Sequence, residues 1–287
     1  MYVHKAIIGV ATTALLGAGI IVAAGPTSAA TVGIGNPRDA IAVSAADSTG
    51  TKAATATCPT GTVVIGGGGS ISGGGDQVRI RGLFPVGATA FRVIGKETVG
   101  GYAGNWSVTA QARCATPPAG LEYRAATATG SSSDVRAVRA TCTSDRKVIG
   151  VGAAVGGDQI AIDAVAPSSD LTSVLARTYL SGGTSTAMNV TAYAICANPI
   201  PGQYRQQASG GSPQNFSVLS MQDYCRQSGR PYVATSLGYA NTDAKGAVVL
   251  TNLSFGQNNQ LVVKRLGPDT TFAWYWSTTM YQVCTPQ

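Results

Sequence analysis

Six cysteines divide the chain into three copies of one unit. The members of the three pairs are 56, 54 and 59 residues apart, and the first members of successive pairs are 84 and 83 residues apart. The pairs are Cys58 and Cys114, Cys142 and Cys196, and Cys225 and Cys284. A period of this length, filled with short runs of Val, Thr, Ala and Gly, predicts β modules that stack or are related by symmetry.

The ends of the three units align residue by residue. Their last nine residues read W-S-V-T-A-Q-A-R-C, M-N-V-T-A-Y-A-I-C and W-S-T-T-M-Y-Q-V-C. Alternate positions are mostly small or apolar, which is typical of a strand that buries one face, and each second cysteine lies on that face. We therefore expect Trp106, Met188 and Trp276 to be core residues at equivalent positions.

The pattern predicts an all-β fold of three repeats of about 83 residues. We place repeat 1 at residues 31–117, repeat 2 at 118–200 and repeat 3 at 201–287. About five strands are expected in each repeat. Short, proline-containing connectors favour a pseudo-threefold, β-prism-like assembly of antiparallel sheets, and three tandem small β-sandwiches are the alternative.

Residues 1–30 read as a secretory signal peptide. Lys5 precedes an apolar stretch, and small residues follow the helix-breaking pair Gly25-Pro26, so cleavage is expected near Ala29 or Ala30. An uncleaved membrane anchor is the alternative reading of this stretch. No later segment is apolar enough to predict an integral membrane helix, and the expected location is extracellular.

An even number of cysteines in an exported chain predicts three disulfides. Six cysteines allow fifteen pairings, and the repeat selects the one that joins the two cysteines of each unit. Each bridge would close a loop of more than fifty residues and contribute about 4 kcal/mol by restricting the unfolded chain.

The motif C-P-x-G-x-V-V-I-G-G-G from Cys58, followed by W-x-V-x-A-x-x-x-C from Trp106, resembles repeats of secreted proteins of the actinobacterial type, which carry no assigned activity. The resemblance covers nearly all of the chain after the signal peptide. It departs in repeat 3, where P-Y-V-A from Pro231 replaces the glycine-rich turn. It implies export and a β module, and it transfers no catalytic residues.

The composition argues against an enzyme. The only histidine, His4, lies in the signal peptide, and disulfides would leave no free thiol, so Ser-His and Cys-His pairs are excluded. No metal-ligand spacing occurs, and the glycine runs lack the residues of a phosphate-binding loop, so neither a metal nor a cofactor is expected. A secreted hydrolase would need two carboxylates in one cleft, and an enzyme inhibitor is the other minor alternative.

Without the signal peptide the chain has nineteen basic and thirteen acidic side chains, a formal charge of +6. This balance favours a glycan or an anionic cell-envelope polymer as partner. The basic residues are dispersed rather than arranged in a stripe with aromatic residues, which argues against nucleic acid. The oligomeric state is not predicted by any of these patterns.

Tyrosine-arginine pairs recur near the connectors and are candidate ligand-binding residues. The candidates are Arg38, Tyr123, Arg124, Tyr204, Arg205 and Trp274. The tyrosines could pack over repeat junctions while the arginines cap backbone carbonyls, or the pairs could form three equivalent shallow sites. The expected function is extracellular surface, glycan or cell-envelope binding, with a structural or assembly module of the cell surface as the alternative.

Overall fold

The computed structural model describes residues 33–130, 135–157, 159–180, 188–212, 216–222, 225–227, 230–244, 248–256, 258–265 and 276–287. These residues form nineteen strands and no helix. Repeat 1 contains β1 Arg38–Val43, β2 Thr51–Thr57, β3 Val63–Ser72, β4 Val78–Val86, β5 Ala90–Glu97 and β6 Ser107–Ala115. Repeat 2 contains β7 Glu122–Gly130, β8 Val135–Thr141, β9 Lys147–Gly156, β10 Ile160–Pro167, β11 Ser173–Leu180 and β12 Met188–Ala197. Repeat 3 contains β13 Tyr204–Ser212, β14 Phe216–Gln222, β15 Arg226–Gln227, β16 Arg230–Thr242, β17 Val248–Ser254, β18 Asn258–Arg265 and β19 Trp276–Pro286.

Each of the three antiparallel sheets is assembled from two repeats. Sheet 1 has the strand order β1-β6-β3-β17-β18-β14, sheet 2 has β13-β19-β16-β10-β11-β8, and sheet 3 has β2-β5-β4-β9-β12-β7. The two-residue strand β15 pairs with β16 beside this order. Every repeat therefore gives its first, third and last long strands to one sheet and its other three to a second sheet. The all-β, β-prism-like arrangement of three sheets is confirmed, and residues 31–287 form one compact unit rather than separate sandwiches.

The three junctions between repeats have the same register. β3 meets β17 through Ser70 and Asn252, β9 meets β4 through Ala154 and Gly82, and β16 meets β10 through Ala240 and Ala164. A β-bulge precedes the junction on the fourth long strand of each repeat, which is β4, β10 or β17. The bulge residues are Arg81, Asp163 and Thr251. Another bulge lies on the third long strand of each repeat, which is β3, β9 or β16. The bulge residues there are Ile65, Ile149 and Thr235. Bulges at matched positions show that the repeats are equivalent in backbone geometry, although their sequences have diverged.

The glycine-rich motif lies where backbones approach each other. A Cβ on Gly68, Gly152 or Gly238 would collide with the carbonyl oxygen of the facing fourth strand. Gly66 and Gly150 directly follow the bulge residues of β3 and β9. A Cβ on either glycine would collide in the same way with the carbonyl oxygen of a bulge residue in another repeat. Side chains at these positions would push the sheets apart, which explains why the motif contains glycine.

Each disulfide joins the end of an outer strand to the last strand of the same repeat. The pairs are Cys58–Cys114, Cys142–Cys196 and Cys225–Cys284, with Cα–Cα distances of 5.6, 5.9 and 5.3 Å. In each pair the first cysteine follows the second strand of its repeat and the other lies on the last strand, which belongs to a different sheet. The predicted pairing is thus confirmed, and each bridge links two sheets.

The predicted core positions are buried, since Trp106, Met188 and Trp276 are at most 2% exposed. The prediction of about five strands per repeat is wrong, because the residues after each connector form an additional first strand. These strands, β1, β7 and β13, are outer strands that pair with the cysteine-bearing last strand. Among the described residues no helix could cross a membrane.

Candidate functional site

The two tyrosine-arginine pairs lie on the first strands of repeats 2 and 3, and one residue of each pair contacts the preceding repeat. The Tyr123 hydroxyl donates to the carbonyl oxygens of Val64 and Ala88 in repeat 1, at 2.8 and 3.2 Å. Burial raises the pKa of Tyr123 to about 12. Tyr123 therefore holds β7 against repeat 1 as a neutral phenol.

Arg205 makes the corresponding kind of contact between repeats 3 and 2. Its guanidinium donates to the Pro167 carbonyl at 3.0 Å and to the Gln207 amide oxygen at 2.9 Å, and it lies 5.0 Å from the centre of the Tyr281 ring. Tyr204 packs edge to face against a second tyrosine, with ring centres 5.5 Å apart. These are the contacts of a repeat junction.

The three candidate arginines do not occupy equivalent positions. Arg38 pairs with Cys114, whereas Arg124 pairs with Ala194 and Arg205 with Val283. Relative to the second cysteine of each repeat, Arg205 is therefore one residue out of phase with Arg38 and Arg124, and its side chain leaves the opposite face of its sheet. The three strands also belong to three different sheets, so the structure does not bring these candidates together.

Trp274, the remaining candidate, lies outside the described residues. A role in ligand binding for it, and for the exposed Arg38 and Arg124, stays a prediction.

A cleft of about 310 Å³ opens where β10 and β11 of repeat 2 meet the end of β16 in repeat 3. We call it the junction cleft. Its lining residues are Asp163, Arg177, Tyr179, Asn241, Thr242, Asp243 and Ala244. The volume is at the lower end of the range for small-molecule sites.

Three polar side chains form the floor and wall of the junction cleft. The Arg177 Nε donates to the Asp163 carboxylate at 2.6 Å, and Arg177 Nη2 donates to the Asn241 carbonyl. Asp163 is 5% exposed and Asn241 is 1% exposed, while about a third of the Arg177 side chain is exposed. Beneath them the buried Tyr239 hydroxyl donates to the Ile162 carbonyl at 2.6 Å.

Asn241 is the least satisfied of these groups. Its Oδ1 has no hydrogen-bond partner among the described residues, and its Nδ2 lies outside ordinary hydrogen-bond geometry but still favours the charged form of Asp163. A buried polar atom without a partner costs about 1–3 kcal/mol, and the interaction with Asp163 offsets part of this cost for Nδ2.

Burial dominates the titration of Asp163. It raises the pKa of this carboxyl above the ordinary value of 3.8, and the charge and hydrogen bond of Arg177 oppose the shift. Burial also raises the pKa of Tyr239 well above 10, with the nearby Asp163 charge acting in the same direction. The cleft thus contains a carboxylate that is only partly compensated by its partner.

The pseudo-threefold symmetry supplies two internal references for this cluster. Asp163 is the bulge residue of β10. Arg177 is the β11 partner of the residue that follows the bulge, and Asn241 follows the β16 residue that pairs at the junction. The same three positions hold Arg81, Ile94 and Val155 in sheet 3, and Thr251, Val262 and Ile71 in sheet 1. At these three positions, the junctions in sheets 3 and 1 carry one polar residue each, whereas the junction in sheet 2 carries three. The shared backbone geometry therefore does not require three polar residues.

The surroundings of the matching positions also differ at the other two junctions. In sheet 3, Arg79, Lys96 and Gln159 are among the residues that line a second cleft, and Arg81 donates to the Val155 and Gly157 carbonyls. In sheet 1, the Lys264 ammonium donates across the gap to the Gly75 carbonyl at 3.3 Å. Among the described residues, the junction in sheet 2 is the one of the three junctions that combines a buried carboxylate with a buried amide whose Oδ1 has no partner.

Within the described part of the chain, one group of potential metal ligands occurs, formed by Glu122, Cys142 and Cys196. Both sulfurs belong to one disulfide, so neither is available as a thiolate. The Glu122 carboxylate is already used, because it accepts hydrogen bonds from Thr143 and forms an ion pair with Arg146 at 2.7 Å. This group therefore fixes a corner of the fold.

Sequence reasoning missed the junction cleft, although one signal for it was present. Asp163 is a charged residue in the otherwise apolar strand I-A-I-D-A-V-A-P. Its bulge position and its proximity to Asn241, 78 residues away, follow only from the pairing of strands from two repeats.

Comparison with known protein families gives no match, and comparison with curated proteins gives none either.

Proposed function

We propose that this protein is a secreted, disulfide-stabilised, non-enzymatic protein that binds extracellular glycans in the junction cleft. The observation that carries the proposal is the cluster of Asp163, Arg177 and Asn241 at one of three junctions of the same geometry. Polar groups that lower stability and that the fold does not require are expected at functional sites.

Export is supported by the three disulfides together with the signal-like residues 1–30. Disulfides persist in oxidising compartments and are rare in the cytosol. A protein outside the cell meets polysaccharides of the cell envelope and of its surroundings as abundant ligands.

The chemistry of the cleft matches a sugar. Carboxylate oxygens accept hydrogen bonds from hydroxyl groups, whereas a guanidinium and a carboxamide donate them, so neighbouring hydroxyls of one ring can be bound together. The ring of Tyr179 adds an apolar surface at the rim, against which the C–H face of a sugar can pack. The small, open cleft suits one or two sugar units of a longer chain.

Glycoside hydrolysis is the second candidate function, and the presence of two carboxylates, Asp163 and Asp243, in one cleft favours it. We rank it second because Asp163 is engaged by Arg177 at 2.6 Å. Asp243 is exposed on a turn with φ of 60°, a position for which aspartate is common without catalysis. Release of reducing ends from a bound polysaccharide would favour this candidate over binding alone.

The test is a glycan array followed by calorimetry with the sugar that is retained. Asp163→Asn keeps the shape of the side chain and removes its charge, so we expect binding to weaken at least tenfold, which corresponds to about 1.4 kcal/mol. Thr242→Trp tests the same cleft sterically from an exposed position, and it should abolish binding without altering the fold.

Arg124→Ala is the matched control. Arg124 is exposed on β7 in another sheet, so its removal should leave the affinity unchanged. A loss of binding in Arg124→Ala together with full binding in Thr242→Trp would contradict the proposal and would favour the tyrosine-arginine positions.

The pH dependence gives an independent prediction. Binding that needs the Asp163 carboxylate should be complete above its raised pKa and should disappear as the pH falls through it, beginning above the pH at which an ordinary aspartate with a pKa of 3.8 is protonated. A raised pKa means that protonation of Asp163 favours the folded state, so this loss should occur without unfolding at this group. Calorimetric titrations with parallel circular dichroism separate the two effects.

A further inference from the structure

The junction cleft has the opposite charge balance to the molecule around it. The chain after residue 30 has a formal charge of +6, which by itself favours anionic polymers. The cleft is lined by two carboxylates, Asp163 and Asp243, and by one guanidinium, Arg177. A ligand in the cleft therefore meets more negative than positive charge.

The charge of the single guanidinium is also shared with an internal carboxylate. Arg177 donates through Nε to the Asp163 carboxylate and through Nη2 to the Asn241 carbonyl. Binding a carboxylate or phosphate in two-pronged fashion requires two free guanidinium N–H groups on one edge. The two contacts of Arg177 use its Nε–Nη2 edge, and an anion at the other edge would lie near the Asp163 carboxylate, which already balances the guanidinium charge.

The remaining polar side chains of the lining include two that only accept hydrogen bonds. These are the carboxylates, whereas the hydroxyl groups of Tyr179 and Thr242 and the amide of Asn241 can both donate and accept. Hydroxyl groups of a sugar supply the donors that this lining needs, whereas an ionised acid group supplies none.

We infer, on the basis of the function proposed above, that the junction cleft selects sugars without an acidic group and rejects uronic acids and phosphorylated sugars. The anionic cell-envelope polymer expected from the net charge is therefore not the ligand of this cleft. Asp243 acts as a specificity residue, because its exposed carboxylate repels an anion at the rim without being needed for the hydroxyl contacts.

The test compares matched pairs of methyl glycosides, galactose with galacturonic acid and glucose with glucuronic acid, by calorimetry or by NMR titration of the full secreted protein. The members of a pair differ only in the oxidation of C6. We expect the neutral member to bind at least tenfold more tightly. Asp243→Asn should reduce this ratio several-fold by improving binding of the acid, and added salt should reduce it as well, because Asp243 is exposed.

Asp145→Asn is the matched control, since Asp145 is also an exposed turn aspartate in the left-handed region, with φ of 67°, and it does not line the cleft. In this variant the ratio of the affinities for the neutral and the acidic glycoside should equal that of the unmodified protein. Equal or tighter binding of the acidic members would overturn this inference and leave glycan binding standing. Absence of binding by every member, and by polysaccharides on the array, would overturn the proposed function itself.

Discussion

At the scale of single residues, glycine and one aspartate have opposite roles. Gly66, Gly68 and Gly152 are glycines because a neighbouring backbone occupies the space of a side chain. Asp163 stands at a bulge position where another repeat has Thr251, and it reduces stability instead of supporting it. The glycines permit close packing of the sheets, whereas Asp163 is a candidate for ligand binding.

Gly152→Ala should lower the free energy of unfolding by about 2 kcal/mol, because the new Cβ would lie 2.8 Å from the Leu83 oxygen and 3.0 Å from the Phe84 Cα. Urea unfolding monitored by tryptophan fluorescence measures this loss. Gly100→Ala is the control, since no atom lies within 4 Å of its added Cβ. Equal losses in the two variants would show that close backbone approach is not the reason for Gly152.

At the scale of strands, each repeat is divided between two sheets and its disulfide spans the division. The tyrosine-arginine pairs lie on first strands that the sequence did not reveal as strands, because connectors with Gly and Pro precede them. One of these strands, β1, exposes Ile41 by 64% and Val43 by 62%. The alternative of an assembly module, which stays a prediction, has its best support at this outer strand.

Replacing Cys142 and Cys196 together by alanine should lower the free energy of unfolding by about 4 kcal/mol, since the bridge closes a loop with a sequence separation of 54. Hydrogen exchange should then accelerate first in β8, which is the outer strand of sheet 2 next to Cys142. Urea unfolding and amide exchange check the two parts. An unchanged midpoint, or loss of protection spread evenly over all three sheets, would contradict this role.

At the scale of the whole molecule, the repeats interlock around one centre. The Val151 amide of repeat 2 donates to the Ser236 hydroxyl of repeat 3 at 2.9 Å, where the other two repeats have Gly66 and Gly150 packed against a carbonyl. The first and last described segments meet as well, since the Ile34 amide donates to the Pro286 carbonyl at 3.1 Å. Repeat 1 thus contacts repeat 3 as closely as it contacts repeat 2.

A fragment of residues 118–200 should not fold as a monomer, because both of its half-sheets have lost the strands with which they pair in the whole chain. We expect an unfolded fragment, or a trimer in which three copies reproduce the missing junctions. Size-exclusion chromatography with light scattering and a ¹H–¹⁵N spectrum distinguish these states. A folded monomeric fragment would contradict the interlocked arrangement.

Local sequence patterns were sufficient for several features of the fold. Alternation of apolar residues placed Trp106, Met188 and Trp276 in the core, and the spacing of the cysteines indicated which of them are joined. Both depend on interactions within one repeat, and a pattern that occurs three times is easier to recognise than one that occurs once.

The amino-acid sequence by itself thus determined most of the strands, the repeat and the pairing of cysteines, since these follow from side-chain periodicity and from spacing along the chain. Only the tertiary structure decided that each sheet combines two repeats and that Asp163, Arg177 and Asn241 share one cleft. The physical reason is that strands pair through backbone hydrogen bonds, which are nearly the same for every side chain. The partner of each half-sheet is therefore set by how the three repeats pack together.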